Sequence, residues 1–137
     1  MKNQTLHMRP LLFLLCSTLL LLLLSANMKR VVKWEHLGTR TVDMTLDHDE
    51  ITINTGDGKY NTLKITVTRT PLYLQSCKIV FANGEDSKIE IEKELVAGTS
   101  HLVDIPGELR VIKKILFHYN STTPTNKKAV VTIYGMR

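Results

Sequence analysis

The residues best suited to bind a cation are three carboxylates in the segment LDHDEI. Asp47, Asp49 and Glu50 stand close together just ahead of an apolar alternation. Hard cations such as calcium take six to eight oxygen ligands, so a cluster of carboxylates is a candidate site. The segment lacks the glycine and the distal glutamate of an EF-hand loop. A solvated turn, in which the aspartates bond their own backbone, is therefore the stronger expectation, and calcium is the one cofactor that the sequence suggests.

The histidines and cysteines form no catalytic or zinc-binding motif. Four histidines follow the first 30 residues and are scattered: His36, His48, His101 and His118. None has zinc-ligand spacing to another or to Cys77. Ser100 precedes His101, but no Gly-x-Ser-x-Gly motif marks a nucleophile. Cys77 lies in an apolar segment, where a cysteine is typically a small buried side chain. We identify no catalytic residue, and the pattern favours a non-catalytic protein over an enzyme.

Aromatic side chains offer a second kind of binding site. Trp34, Tyr60 and Tyr73 are candidate ligand-binding residues, because the apolar face of a pyranose ring packs well on an aromatic surface. The competing expectation is that all three fill the core and its rim. The two expectations differ in whether the rings lie on an outer face of the fold.

Short strands must position all of these side chains. The segment TLKITVTRT at 62–70 alternates Leu63, Ile65 and Val67 with polar residues, which predicts a half-buried strand. Comparable segments lie at 34–44, 49–55, 72–84, 88–96, 100–105 and 128–135, and turn residues separate them. The Gly56-Asp57-Gly58 sequence after the second of these predicts a hairpin turn. About eight such strands predict an all-β fold, a single antiparallel β-sandwich of jelly-roll type.

The segment IPGELRVIKKILFHYN at 105–120 fits both a helix and a strand. Its apolar residues fall at helical spacing, yet Pro106-Gly107 is a turn and not a helix cap. Its β-branched and aromatic residues favour a strand. A bulge near Lys113-Lys114 would bring four apolar side chains onto one face, because an extra residue reverses the alternation after it. Those side chains are Ile112, Ile115, Phe117 and Tyr119.

The N-terminus predicts export. Residues 1–26 combine a basic lead, a leucine-rich apolar run and a small residue at Ala26, which is typical of a secretory signal peptide. The apolar run is too short for a membrane span, so we expect none after cleavage. Residues 27–137 then form one domain, periplasmic or extracellular, with Cys77 as its single cysteine. The net charge of +5 is spread along the chain, so a nucleic-acid partner is not indicated.

Five landmarks follow one another along the chain: WEHLGTRTVD, DHDEITI, IVFANGE, LVAGTSHLVDIPGELRVIKKILFHYNS and KAVVTIYG. In this order they resemble a family of small exported bacterial proteins described as domains of unknown function. The resemblance implies a signal peptide followed by a single β-sandwich. Its landmarks are structural residues, and it implies no activity, cofactor or site residue.

Together these observations predict an exported, non-catalytic β-sandwich that acts as a binding or interaction module of the cell envelope or extracellular space. A cell-envelope polysaccharide or protein is the expected partner. Two alternatives stay open. One is a small metal-dependent enzyme that uses the loop of Asp47 and Asp49, and the other is a structural subunit that assembles through a sheet edge.

Overall fold

The computed structural model describes residues 31–42, 48–53, 58–120 and 128–137. Residues Lys33–Arg137 belong to one compact unit. The expected signal peptide and the domain boundary at residue 27 lie outside the described residues. The strands are β1 Glu35–Thr41, β2 His48–Thr52, β3 Lys59–Tyr60, β4 Thr62–Thr68, β5 Leu72–Phe81, β6 Asp86–Leu95, β7 Ser100–Asp104, β8 Arg110–Asn120 and β9 Val130–Met136.

The strands form two antiparallel sheets that pack face to face. The four-stranded sheet has the order β1-β9-β4-β7, and the five-stranded sheet has the order β2-β8-β5-β6, with β3 also paired to β8. The prediction of an all-β sandwich is confirmed. The described part of the chain contains nine strands where about eight were expected, and the two-residue β3 is the addition. None of the described residues forms a helix of the length and apolarity that a membrane span requires.

The core consists of the inward side chains of both sheets. In β4 the predicted residues Leu63, Ile65 and Val67 are all buried, so the alternation in TLKITVTRT is confirmed. Their counterparts in the five-stranded sheet include Leu74, Ile79, Phe81, Ile115 and Phe117. Burial of such a side chain stabilises the fold by about 1.5–3 kcal/mol, which is the main force that holds the sheets together.

The ambiguous segment at 105–120 is a bulged strand. In the pairing of β5 with β8, Val80 lies opposite Lys114 and Phe81 lies opposite Ile112, so Lys113 is the extra residue. The predicted bulge is confirmed at this position. All four predicted residues, Ile112, Ile115, Phe117 and Tyr119, are buried on the core face. The helical interpretation is excluded.

The prediction of a hairpin at Gly56-Asp57-Gly58 is wrong. Strands β2 and β3 do not pair with each other, and both run antiparallel to β8. They therefore follow one another along the same edge of β8, in the same direction. Residues 54–57, between them, lie outside the described residues.

Two glycines allow close approach of the layers. A Cβ atom on Gly38 in β1 would collide with the side chain of Ile51 in β2. A Cβ atom on Gly135 in β9 would lie 2.5 Å from the buried ring of Tyr60. Both positions exclude a larger residue for reasons of space, since neither glycine needs an unusual backbone conformation.

Candidate functional site

An aromatic cluster occupies the outer face of the four-stranded sheet. Cross-strand pairing places His36 opposite Tyr134, Tyr134 opposite Lys64, and Lys64 opposite Leu102. The Lys64 Nζ atom lies 4.6 Å from the ring centroid of Trp34 and 4.7 Å from that of Tyr134. We call Trp34, His36, Lys64 and Tyr134 the aromatic–lysine cluster.

Contacts between its members fix the geometry of this cluster. His36 and Tyr134 meet edge to face, with ring centroids 5.6 Å apart. Each ring that faces Lys64 contributes a cation–π attraction of about 0.5–1 kcal/mol at an exposed site. The Lys64 side chain is half-buried, and the neighbouring Leu102 is 57% exposed. The result is a surface that combines ring faces, an ammonium group and an exposed apolar side chain.

A row of hydroxyl groups crosses the same face next to the cluster. Thr39, Thr132, Thr66 and Ser100 lie side by side on the four strands, in the order β1, β9, β4, β7. We call these four residues the hydroxyl row. Thr39 donates a hydrogen bond to the Thr132 hydroxyl at 3.2 Å, and Thr66 shares one of 2.7 Å with Ser100. The row therefore presents regularly spaced donors and acceptors across the width of the sheet.

His36 connects the cluster to the hydroxyl row. Its Nε2 atom lies 2.9 Å from the Thr39 hydroxyl oxygen. The imidazole and the Thr39 hydroxyl share this hydrogen bond, and the histidine tautomer decides which of them donates. This contact makes the aromatic–lysine cluster and the hydroxyl row one continuous polar surface.

The outer face of the five-stranded sheet has a different chemistry. It is covered by ion pairs between exposed side chains: Lys78–Asp86 at 2.7 Å, Lys88–Glu90 at 2.6 Å and Lys114–Glu50 at 3.0 Å. On the two central strands of the other sheet, β4 and β9, the outward residues are threonines, Val130, Tyr134, Met136 and Lys64. Charged pairs cover one face, while hydroxyl and aromatic groups cover the other.

The structure separates the three aromatic candidates. Trp34 lies on the outer face of the four-stranded sheet, where Lys64 contacts it. Tyr60 is fully buried in the core and packs against Gly135. Tyr73 lies on the five-stranded sheet and donates a hydrogen bond of 2.9 Å to Glu92, which raises the pKa of the Tyr73 phenol. Of the three, Trp34 alone belongs to the cluster.

The structure also separates the carboxylate candidates. Asp47 lies outside the described residues. Asp49 and Glu50 are neighbours in β2 and point to opposite faces of the sheet, so they cannot share one cation. The Asp49 side chain is 2% exposed; its carboxylate accepts hydrogen bonds from Arg40 Nε at 3.0 Å and from the Tyr119 hydroxyl at 2.9 Å. Glu50 is paired with Lys114.

The remaining titratable candidates are distributed over the fold. Cys77 is buried, and burial raises the pKa of its thiol to about 12. His101 faces the core side of β7, where partial burial and the charge of Lys93 lower its pKa. His48 and His118 are cross-strand partners on the outer face of the five-stranded sheet. Within the described ranges, no group of three or more His, Cys, Asp or Glu residues is arranged to hold a metal ion.

A depression of about 320 Å³ lies at one end of the five-stranded sheet, lined by Phe81, Asn83 and Arg110 among others. The Arg110 guanidinium stacks over Phe81, with its carbon 3.7 Å from the ring centroid. It also donates to Glu85, and this contact lowers the pKa of the Glu85 carboxyl. In this depression the Arg110 guanidinium is thus held by the Phe81 ring and the Glu85 carboxylate.

Residues 14–135 match the family profile described as Domain of unknown function (DUF2541). The chain belongs to this family. The resemblance inferred from the sequence landmarks, to a domain of unknown function, is thereby confirmed. No curated protein matches this DUF2541 chain.

One solved structure similar to this DUF2541 chain is that of AlgX from Pseudomonas aeruginosa. The similarity covers 79% of this chain and 26% of AlgX, at 13% sequence identity and a TM-score of 0.50. The DUF2541 chain thus spans about a quarter of the length of AlgX. At this level of identity the similarity concerns the fold, and it shows that a sandwich of this kind occurs as one part of a larger protein.

The sequence could have revealed part of the cluster. Lys64 stands between Leu63 and Ile65, so the period of two along a strand indicates that it points outward from β4. Nothing in the sequence indicates that Trp34, Lys64 and Tyr134 converge, because they are joined by the pairing of β9 with both β1 and β4. The hydroxyl row is hidden for the same reason, since threonine is common on the exposed face of any strand.

Proposed function

We propose that this protein is an exported, non-catalytic module that binds a polysaccharide of the cell envelope on the outer face of its four-stranded sheet. The observation that carries this proposal is the aromatic–lysine cluster, which is continuous with the hydroxyl row through the contact between His36 and Thr39. Together they form a surface of ring faces and hydroxyl groups across all four strands.

The chemistry of a saccharide chain matches this surface. The C–H face of a pyranose ring packs on an aromatic side chain, and its hydroxyl groups exchange hydrogen bonds with threonine and serine. Lys64, held between the rings of Trp34 and Tyr134, offers ammonium protons to ring oxygens, hydroxyls or carboxylates of the ligand.

The outer face of the five-stranded sheet is less suited to binding a saccharide. Each lysine of the ion pairs on the five-stranded sheet already has a carboxylate partner within 3.0 Å. Such exposed pairs are typical of a solvated surface. A ligand on that face would have to displace these pairs, whereas a ligand on the four-stranded sheet would contact ring faces and hydroxyls directly.

Affinity measurements on alanine variants test this proposal. A panel of envelope and extracellular polysaccharides is screened by affinity electrophoresis, and any ligand is then titrated calorimetrically into the wild type and into Trp34→Ala and Tyr134→Ala. Stacking that covers roughly 50 Å² of each ring contributes about 1.3 kcal/mol. Each substitution should therefore weaken binding about tenfold.

Tyr73→Ala is the matched control, because it removes an aromatic ring from the outer face of the other sheet. It should leave the affinity unchanged. Equal losses in Tyr73→Ala and Tyr134→Ala, or full binding by the double variant Trp34→Ala/Tyr134→Ala, would contradict the proposed binding face. Export is tested separately by the mass of the protein recovered outside the cytoplasm, which should lack residues 1–26.

A further inference from the structure

Two histidines form a cross-strand pair on the outer face of the five-stranded sheet. His48 in β2 lies directly opposite His118 in β8. Both point away from the core, because their neighbours Asp49 and Phe117 are buried. The ring centroids are 5.5 Å apart and the ring planes are inclined by 34°. The two imidazoles are 70 residues apart along the chain, and strand register alone brings them together.

This separation suits joint coordination of one metal ion. In a tetrahedral zinc site with bonds of about 2.0–2.1 Å to nitrogen, the centroids of two imidazole ligands lie about 5 Å apart. The observed 5.5 Å differs from that separation by a few tenths of an ångström, which side-chain rotation can supply. Imidazole nitrogen prefers zinc, copper and nickel, while calcium and magnesium prefer oxygen.

Two described side chains lie next to the pair on the same outer face. The residue opposite His118 on its other side is Ser76, which has a small side chain. Lys114, on the same face of β8, is paired with Glu50 at 3.0 Å. An ion held by two histidines takes water or an oxygen of a ligand at positions that no further side chain fills.

We propose that His48 and His118 form a two-histidine site for a divalent transition-metal ion, for which tetrahedral Zn²⁺ has the best geometry. The site lies on the sheet opposite the proposed polysaccharide face and does not depend on that proposal. Because β2 is an edge strand whose neighbour is β8, an ion bound by both histidines would also stabilise the pairing of β2 with β8. In the sequence HDE at 48–50, the Asp49 and Glu50 carboxylates point to opposite faces of the sheet, while the His48 ring lies beside that of His118.

Imidazole NMR spectra of the untagged full-length protein test this site. Zn²⁺ is the probe, added after treatment with a chelator that is then removed, and its affinity is measured by competition with a chromophoric chelator. We expect the ring signals of His48 and His118 to shift together at one equivalent of Zn²⁺. The signals of His36 and His101 should stay in place.

His48→Asn and His118→Asn should each reduce the Zn²⁺ affinity at least tenfold, because each removes one of two ligands. His36→Asn and His101→Asn are the matched controls and should bind Zn²⁺ like the wild type. Circular dichroism confirms the fold of each variant. Undiminished affinity in both His48→Asn and His118→Asn would overturn the proposal, as would ring shifts confined to His36 or His101. Saturating Zn²⁺ should also raise the melting temperature of the wild type and leave that of His118→Asn unchanged.

Discussion

Removal of the Asp49 carboxylate distinguishes a structural role of this residue from a metal-binding role. Asp49 is almost fully buried, and Tyr119 and Arg40 both donate to it. A hydrogen bond from a buried hydroxyl to a charged group contributes about 1.5–3 kcal/mol. The Arg40 side chain is 54% exposed, so its bond adds at most about 1 kcal/mol after screening by solvent. Asp49→Ala should therefore lower the free energy of unfolding by about 2–4 kcal/mol.

Urea denaturation, followed by circular dichroism, measures this change. Tyr119→Phe removes the hydroxyl alone and should cost about 1.5–3 kcal/mol. The double variant should cost less than the sum of the two single variants, because both remove the same bond. Glu50→Ala is the control, since it removes an exposed carboxylate next in sequence and should cost about 1 kcal/mol or less.

If the free energy of unfolding of Asp49→Ala lay within about 0.5 kcal/mol of the wild-type value, the range expected for a surface substitution, the buried carboxylate would not have the structural role assigned to it. A loss of stability that appeared only with calcium present would instead support the metal-dependent alternative. The structure predicts the same loss with calcium and with a chelator, because the carboxylate is bonded to protein groups.

Three further predictions concern residues that are buried or partly buried in the fold. Burial raises the pKa of Cys77 to about 12, so the thiol should resist alkylation in the folded protein and react on unfolding in urea. The lowered pKa of His101, caused by burial and by Lys93, means that the folded chain binds its proton less tightly than the unfolded chain. Stability should thus be full above pH 6.5 and fall below it, and His101→Gln should flatten that decrease in urea titrations. Gly135→Ala should cost about 1–3 kcal/mol in the same assay, because the new methyl group must displace the buried ring of Tyr60.

Local alternation was sufficient to predict most strands. Leu63, Ile65 and Val67 mark the core face of β4 because side chains alternate with a period of two along any strand. The bulge in β8 could also be predicted. Ile112 and Ile115 can lie on the same face of one strand only if an extra residue stands between them, and that residue is Lys113. These features depend on neighbours in the chain, which a sequence displays directly.

Features that depend on strand order could not be predicted. The glycines at 56 and 58 resemble a hairpin turn, but β8 accepts β2 and β3 in succession along one edge. Tyr60 differs little from Tyr134 in its sequence context, yet one fills the core and the other lies beside Lys64. Which sheet a strand joins, and which strands flank it, is a long-range property of the chain.

Amide chemical shifts of the protein with a bound oligosaccharide show which face of the sandwich holds the ligand. With a ligand from the polysaccharide screen, binding on the outer face of the four-stranded sheet should give the largest shifts at β9 and β4, around Tyr134, Lys64 and Thr132, and smaller ones at β1 and β7. Shifts centred on the ion pairs of the five-stranded sheet, or on the depression at Phe81 and Arg110, would contradict it.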